Sequence, residues 1–380
     1  MINVTQPSIG AEELAAITAV FDSRWLGSGP RTEEFEGLFA RHLGVPAENV
    51  LFLNSATSAL FLAVELLGIG PGDDVVMPSN GFVANASAVV AAGGRPVFCD
   101  IDEHHLNPSV ADVLAALTPR TRAVMVLHYG GYPGDVDKIA ALCAERGIAL
   151  IEDAAVSIAS SVHGQMCGTF GDLGIWSLDS RKVITTGDGG VLYARDPAVA
   201  QRARRLSYHG LDDRSSFTTA TKSQHVWWSF QIEDIGRRLV GNDITAAIGT
   251  VQLGKLAGFV ERRRAIGQRY DKALGGFSGI RLPPPLPEGH RSTHYFYCVR
   301  FDSQAIRDGV SEDLLANGIY TSYRYYPLHR VRRYGATDTV LPVTDAVSDT
   351  SLLLPAHQSL LDDEVDLIAQ QVLAAVEARL

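Results

Sequence analysis

Apolar residues in this chain cluster into short runs separated by amphipathic stretches. Between residues 50 and 195 the runs are Val50–Asn54, Asp74–Pro78, Pro96–Ile101, Ala123–His128, Ala149–Asp153, Leu173–Leu178 and Gly190–Ala194. Runs of this length, bounded by turn formers, predict buried strands. Between several of them the apolar spacing changes to that of a helix. Ser58–Leu67 is one such stretch, and Val136–Arg146, closed by Gly147 as a C-cap, is another. Strands alternating with helices predict an α/β fold, a mostly parallel seven-stranded sheet covered on both faces. Ligands of such sheets bind beyond the carboxyl ends of the strands. Asn54, Pro78, Asp153 and Ser177 all fall at or near those ends.

Further along, Asn242-Asp243 makes a good helix start, and a helical pattern runs from Ile244 to about Leu274. Pro283-Pro284-Pro285 with Pro287 reads as stiff extended chain. Tyr295–Phe301 alternates like a strand, Val310–Asn317 is helical, Ile319–Tyr325 reads as another strand, and Asp362–Leu380 is an amphipathic helix. The pattern predicts a large domain over residues 1–250 and a small C-terminal α/β domain over residues 251–380.

The chain has 380 residues, 46% of them hydrophobic and 20% charged, enough for a sizeable core. Its net charge of −10 argues against general binding to nucleic acid or an anionic membrane, which needs a basic face. A local basic pocket is still allowed. No apolar stretch is long enough to span a bilayer. Met1–Pro7 has neither the basic nor the apolar region of a signal peptide. Cys99, Cys143, Cys167 and Cys298 lie far apart, without metal or redox spacing. The expectation is a cytoplasmic protein with reduced cysteines.

Two charged residues stand out at strand ends. Lys182 follows the Leu173–Leu178 run on a turn, and Gly187-Asp188-Gly189-Gly190 comes next. A lysine held there can reach into a cleft, and desolvated lysines become nucleophiles able to form a Schiff base. Most lysines are solvated surface charges, so a partner matters. Asp153 is that partner, closing the run Ile148-Ala149-Leu150-Ile151-Glu152-Asp153. A Schiff-base lysine with an aspartate for a pyridinium nitrogen is the pairing that pyridoxal phosphate (PLP) requires.

Several segments then occur in one order. They are Asn54-Ser55-Ala56-Thr57-Ser58-Ala59-Leu60, Glu152-Asp153-Ala154-Ala155, Gly168-Thr169-Phe170-Gly171-Asp172, and the block from Ser177 through Lys182 to Gly190. Asn242–Gly249 with Gln252-Leu253, and Tyr326-Pro327-Leu328-His329, follow. Over nearly the whole chain this resembles the DegT/DnrJ/EryC1/StrS family of PLP-dependent sugar aminotransferases. The resemblance implies the aspartate aminotransferase fold (PLP-dependent transferase fold type I) and a homodimer with shared active sites.

It also implies roles. Lys182 matches the Schiff-base lysine and Asp153 the aspartate facing the pyridine nitrogen. Ala56 and Thr57 match backbone N–H groups that bind the cofactor phosphate at a helix start, and Ser177 matches a serine hydroxyl that reaches the same phosphate. Phe82 matches the aromatic stacked on the cofactor ring, with an ordinary core phenylalanine as the competing reading. Arg238 falls where relatives place a polar or basic residue that reaches the phosphate from the neighbouring subunit. A solvated surface charge is its rival reading. Trp25, with Gly27-Ser28-Gly29-Pro30, matches a loop near the substrate, and Tyr326 with His329 matches a segment near the nucleotide sugar.

There are departures from the family pattern. Val156 stands where many relatives carry glutamine or histidine against the cofactor's phenolic oxygen. Arg238-Leu239-Val240 stands where relatives often carry Asn-Tyr-Arg or Lys-Tyr-Asn. Other motifs carry no chemistry. Gly168, Gly171 and Gly174 lack the spacing and frame of a dinucleotide fingerprint. Asp102-Glu103-His104-His105 has no helix to gather its side chains, so no metal site is expected.

The implied activity is amino transfer from L-glutamate to a keto sugar nucleotide, the cofactor cycling through pyridoxamine phosphate (PMP). The Val-Ile-Thr-Thr-Gly-Asp-Gly-Gly string after Lys182 looks more like relatives acting at C4 than the C3 group, which tends to carry Asn-Leu-Gly there. The expected substrate is a dTDP-4-keto-6-deoxyhexose, in an antibiotic or other secondary-metabolite pathway or in a cell-surface glycan pathway. Amination at C3, a cyclitol ketone as acceptor, and a catalytically silent partner of the same fold are the alternatives. A sugar dehydratase of this fold would carry histidine in place of Lys182.

Overall fold

A computed structural model gives the fold; the residues described are 1–211 and 232–380. The central sheet uses seven strands: β1 (Val50–Leu53), β2 (Asp74–Pro78), β3 (Arg95–Cys99), β4 (Thr121–Leu127), β5 (Ala149–Asp153), β8 (Leu173–Ser177) and β9 (Gly190–Ala194). Between β5 and β8 the two-residue strands β6 (Ser161–Val162) and β7 (Gln165–Met166) form a side ribbon. The central order is β1-β9-β8-β5-β4-β2-β3. Pairing is parallel from β3 through β2, β4 and β5 to β8, and only β9 runs against its neighbours.

Seven helices accompany these strands: α1 (Ala11–Ser23), α2 (Pro30–Leu43), α3 (Ala56–Leu66), α4 (Val83–Ala91), α5 (Val110–Ala116), α6 (Val136–Arg146) and α7 (Pro197–Ser207). Alternate strand residues face opposite ways. Leu51, Leu53, Met77, Met125, Ile151 and Ile175 face a core shared with α3, α4 and α7. Val50, Phe52 and Trp176 face one shared with α2, while Val76, Val124 and Leu150 face α5 and α6. Burial on both faces is why these strands read as unbroken apolar runs.

The long helix, here α8 (Asp243–Leu274), starts where Asn242 accepts the Thr245 N–H at 3.0 Å. It serves two cores. Ala246 and Leu256 pack in the core of the large sheet. Ile266, Tyr270 and Leu274 belong to a second core. That core is built on the small sheet β10 (Ile280–Arg281), β12 (Tyr297–Phe301) and β13 (Ser351–Leu354). Helices α9 (Gln304–Ala316), α10 (Pro342–Thr350) and α11 (Asp362–Glu377) flank it, and β11 (His290–Arg291) joins the β6–β7 ribbon. Ile2 bridges to Ile319, so the first residues pack with this second core.

One sequence expectation is corrected. No strand forms over Ile319–Tyr325, where only isolated bridges occur, at Ile319 and Ser322. The edge of β12 is taken instead by Ser351–Leu354, which directly follows a helix with no turn signal between them. Long-range pairing overrides local alternation here. Among the described residues no helix is long and apolar enough to cross a membrane. All four cysteines are free and buried.

Candidate active site

Strand ends assemble the site. Asp153 pairs with Ile175, so Ser177 lies two residues past the level of Asp153 on the neighbouring strand. Ser177 in turn pairs with Gly190, the first residue of β9. The segment from Leu178 to Gly189 is therefore a loop closed at its base by the sheet ladder, with Lys182 near its middle. Inside it the Lys182 N–H donates to the Asp179 carbonyl at 2.9 Å, and the Thr186 N–H to the Leu178 carbonyl at 3.0 Å. Gln252 on α8 braces it from outside. Its Oε1 accepts the Thr185 N–H at 3.3 Å, and its Nε2 donates to Glu13 Oε1 and to the Ser8 carbonyl, both at 2.8 Å.

A cavity of about 390 Å³ opens over these ends, and Ala56, Thr57, Phe82, Asp153, Ser177 and Lys182 all line it. A larger cavity of about 500 Å³ lies elsewhere, between α8, the proline-rich segment and the His104-His105 turn. Neither the lysine nor the aspartate reaches it. Tyr129, Phe296 and Tyr325 stand between the two, their rings packed at centroid distances of 5.7 to 6.4 Å. Both cavities carry titratable side chains, but only the smaller one brings Lys182 and Asp153 together at the carboxyl ends of the strands.

One end of this cavity is shaped for an anion. Ser55 caps α3, accepting the Ser58 N–H at 3.0 Å. The first N–H groups of a helix have no intrahelical acceptor, and the dipole favours negative charge there. Gly190 is pressed against this turn. A Cβ on Gly190 would stand 2.3 Å from the Ala56 backbone nitrogen and 2.3 Å from the Ser55 carbonyl carbon. Only glycine lets the strand pass so close.

Asp153 lies at the other end and is 2% exposed. The Ala155 N–H donates to its carboxylate at 3.1 Å. Burial raises its pKa, against the opposing pull of Asn85, Ala155, Lys182 and His128. Asn85 comes from α4, which starts just after Phe82. The Phe82 ring stays 46% exposed at the cavity mouth, 6.0 Å from the ring of Tyr325. Beneath Asp153, Glu152 accepts the N–H groups of Gly168 and Gly171, both at 2.6 Å, and meets His128 Nε2 at 3.0 Å. These glycines wrap a buried carboxylate.

Three aromatic and basic residues of the site carry no signal in the sequence pattern. Tyr295 places its ring 5.2 Å from Lys182 Nζ. Arg324 and Tyr325 line the cavity, and Arg324 Nη1 donates to the Tyr295 hydroxyl at 3.2 Å. All three lie in irregular chain whose alternation reads as strand, so the pattern marks none of them for the site.

The remaining predicted residues do not line this cavity. Arg238 is exposed, its guanidinium 5.4 Å from the Tyr208 ring. Trp25 Nε1 donates to the Ser28 carbonyl at 3.2 Å, next to Gly29. Tyr326 is 59% exposed beside Tyr325. His329 is buried, with Nδ1 2.7 Å from Ser79 Oγ and Nε2 3.2 Å from Asp345. Val156 is buried in apolar surroundings. The Asp102–His105 segment is a turn in which Asp102 accepts the N–H groups of His104 and His105. Among the described residues, no cluster of three side chains could hold a metal ion.

Residues 7–373 match the DegT/DnrJ/EryC1/StrS aminotransferase family. A dTDP-4-dehydro-2,3,6-trideoxy-D-glucose 4-aminotransferase of Saccharopolyspora spinosa is 56% identical over 377 residues, covering 99% of this chain and 97% of that protein. The crystal structure of the aminotransferase TlmJ from Streptoalloteichus hindustanus superposes with a TM-score of 0.95 at 50% identity, covering 100% of both chains. Spr1654 from Streptococcus pneumoniae, solved in a PMP form, matches with a TM-score of 0.91 at 26% identity, covering 99% of each chain. A lysine and a buried aspartate face one cavity beside a helix start on this sheet, and the chain is a member of the DegT/DnrJ/EryC1/StrS aminotransferase family, the PLP-dependent sugar aminotransferases.

Proposed function

We propose that this enzyme transfers the amino group of L-glutamate to C4 of a dTDP-4-keto-6-deoxyhexose, with PLP as its cofactor. The observation that carries the reading is the cavity itself. It sets Lys182 and Asp153 in the same space as a helix start that only Gly190 leaves open. Placement at C4 and the dTDP carrier are supported by the name of the Saccharopolyspora spinosa relative.

The residues present fit the cofactor. The Ala56 and Thr57 N–H groups and the Ser177 hydroxyl would hold its phosphate. Phe82 would cover the ring, and Asp153 would face the pyridine nitrogen. When bound, the cofactor supplies an electron sink for the substrate carbon. Asp153, kept dry and fixed by the Ala155 N–H, balances positive charge at that nitrogen. Lys182 would hold the cofactor at rest and, when free, would move a proton at the reacting carbon as general acid and base. The closed base of its loop restricts the backbone and leaves the side chain its own rotations. Arg238, exposed on its own chain, is read as reaching the neighbouring site across a homodimer. Trp25, Tyr326 and His329 are read as lying on or supporting the sugar-nucleotide side of the completed site.

The test is an absorbance spectrum of the purified protein with PLP, before and after L-glutamate, for wild type and Lys182→Ala. A lysine-bound cofactor band that glutamate bleaches in the wild type and that the variant lacks is the expected result. A band unchanged by the substitution, or none in the wild type, sinks the reading and promotes the silent partner. Restoring the bleached band with 4-keto or 3-keto sugar nucleotides, or with scyllo-inosose, then distinguishes C4, C3 and cyclitol acceptors.

A further inference from the structure

Arg324 is a cation without a matching anion. It lines the cavity that holds Lys182 and Asp153 and is partly buried there. Its contacts are neutral. Nη1 donates to the Tyr295 hydroxyl at 3.2 Å, and the guanidinium sits 5.5 Å from the centre of the Phe296 ring. Among the described residues no carboxylate pairs with it. Asp153, Asp179 and Asp188 line the same cavity, and among the described residues none of them forms an ion pair with Arg324.

The side chain is nevertheless held in place. The Tyr129 hydroxyl donates to the Arg324 carbonyl, which fixes the backbone. Asn80 Oδ1 accepts the N–H of the next residue, Tyr325, at 3.3 Å. A guanidinium offers five donors in a planar fork suited to two carboxylate oxygens, and its side-chain bonds go to the neutral hydroxyls of Tyr295 and Tyr325. Withdrawing such a charge partly from water without an anion costs free energy unless a ligand supplies the anion. Tyr295 also links the two cations, with Lys182 Nζ over its ring and Arg324 on its hydroxyl.

We propose that Arg324 is the specificity-determining residue for the amino donor and binds a carboxylate of the incoming amino acid while the donor's amino group meets the cofactor at Lys182. This rests on the aminotransferase reading above. The diphosphate of the sugar nucleotide is the other oxyanion available, and it takes part only in the second half-reaction. The two half-reactions therefore separate the sources.

The experiment compares PLP-loaded wild type with Arg324→Gln and Arg324→Lys in single-turnover half-reactions. Arg324→Gln is expected to raise the glutamate concentration for half-maximal bleaching at least about 30-fold, in line with loss of a charge-assisted contact. The maximal bleaching rate, and the return step with the keto sugar, stay within about threefold, and Arg324→Lys recovers part of the loss. Glutarate, a dicarboxylate with no amine, is expected to raise the thermal midpoint of the loaded wild type and not of Arg324→Gln. An unchanged glutamate dependence, a parallel loss in both half-reactions, or a loss confined to the keto-sugar step overturns the assignment. Failure of the wild type to respond to glutamate at all would count against the proposed function instead.

Discussion

Lys182 and Tyr295 meet as cation and ring, with Nζ 5.2 Å from the ring centre. The ring cannot turn away. It is 2% exposed, Arg324 holds its hydroxyl, and Arg263 Nη1 donates to its carbonyl at 3.2 Å. A cation over an aromatic face gains about 0.5–2 kcal/mol, so the ring biases where the lysine rests. Tyr295→Leu should lower kcat about tenfold. Tyr295→Phe, which keeps the ring, should stay within about threefold of wild type at saturating donor. Steady-state rates of both variants check this.

Asp153→Asn separates stability from activity. Burial raises the Asp153 pKa. Between its unfolded value of about 4 and that raised value, the native state keeps a proton that the unfolded chain has released. Stability therefore falls as pH rises through that window, and the full cost is present above it. Asparagine is neutral at every pH. Cofactor-free Asp153→Asn should melt about 2–4 °C above wild type at pH 7 and converge with it near pH 4. Its turnover should drop at least about 100-fold, as when a fixed electrostatic group is removed from a reaction centre. Calorimetry across pH and a rate assay read the two effects.

Gly190→Ala tests the anion cradle. Its Cβ would collide with backbone on the first turn of α3, not with a side chain that could move aside. The N–H groups of Ala56 and Thr57 must then shift. Affinity for PLP should fall more than about tenfold while the far-ultraviolet circular dichroism is kept. Equilibrium dialysis measures the first and a spectrum the second.

The legible parts of the site were those that hang on strand ends. A strand buried on both faces is a continuous apolar run, so the polar residue that ends it stands out, as Asp153 and Ser177 do. Lys182 stood out because it follows such a run and precedes glycines. The opposite wall was not legible. Arg324 and Tyr325 sit in a stretch whose alternation imitates a strand. Its course is set instead by Tyr129, Asn80 and the bridge from Ser322 to Leu353. None of these contacts is local. Tyr295 fell inside a correctly located strand pattern, yet β12 begins two residues later and leaves the ring free to face the lysine.

Glu13 ties the N-terminal helix to the lysine loop, and acid should loosen that tie. Burial pushes its pKa up, but Lys255, Gln252 and the Gly10 N–H outweigh it and bring the value from 4.5 to about 2. The stability it contributes is present above pH 4.5 and lost as pH falls towards 2. Glu13→Gln should cost up to about 3 kcal/mol at pH 7 and flatten the acid limb of the melting curve. Turnover should fall a few-fold, because Gln252 also holds Thr185. Melting temperatures between pH 2 and pH 7, with one rate assay, decide it.

The pairing of Ser177 with Gly190 makes the lysine loop a clasp fastened to the sheet at both ends. Arg324, Tyr325, Trp25 and Tyr326 belong to other stretches of the chain. A lineage can therefore remodel what it accepts by altering those stretches while the clasp keeps its length. Under the proposed roles, reaction and choice of substrate are carried on separate mounts, and exchanging Trp25–Pro30 or Tyr323–Tyr326 between relatives is the economical way to redirect this enzyme.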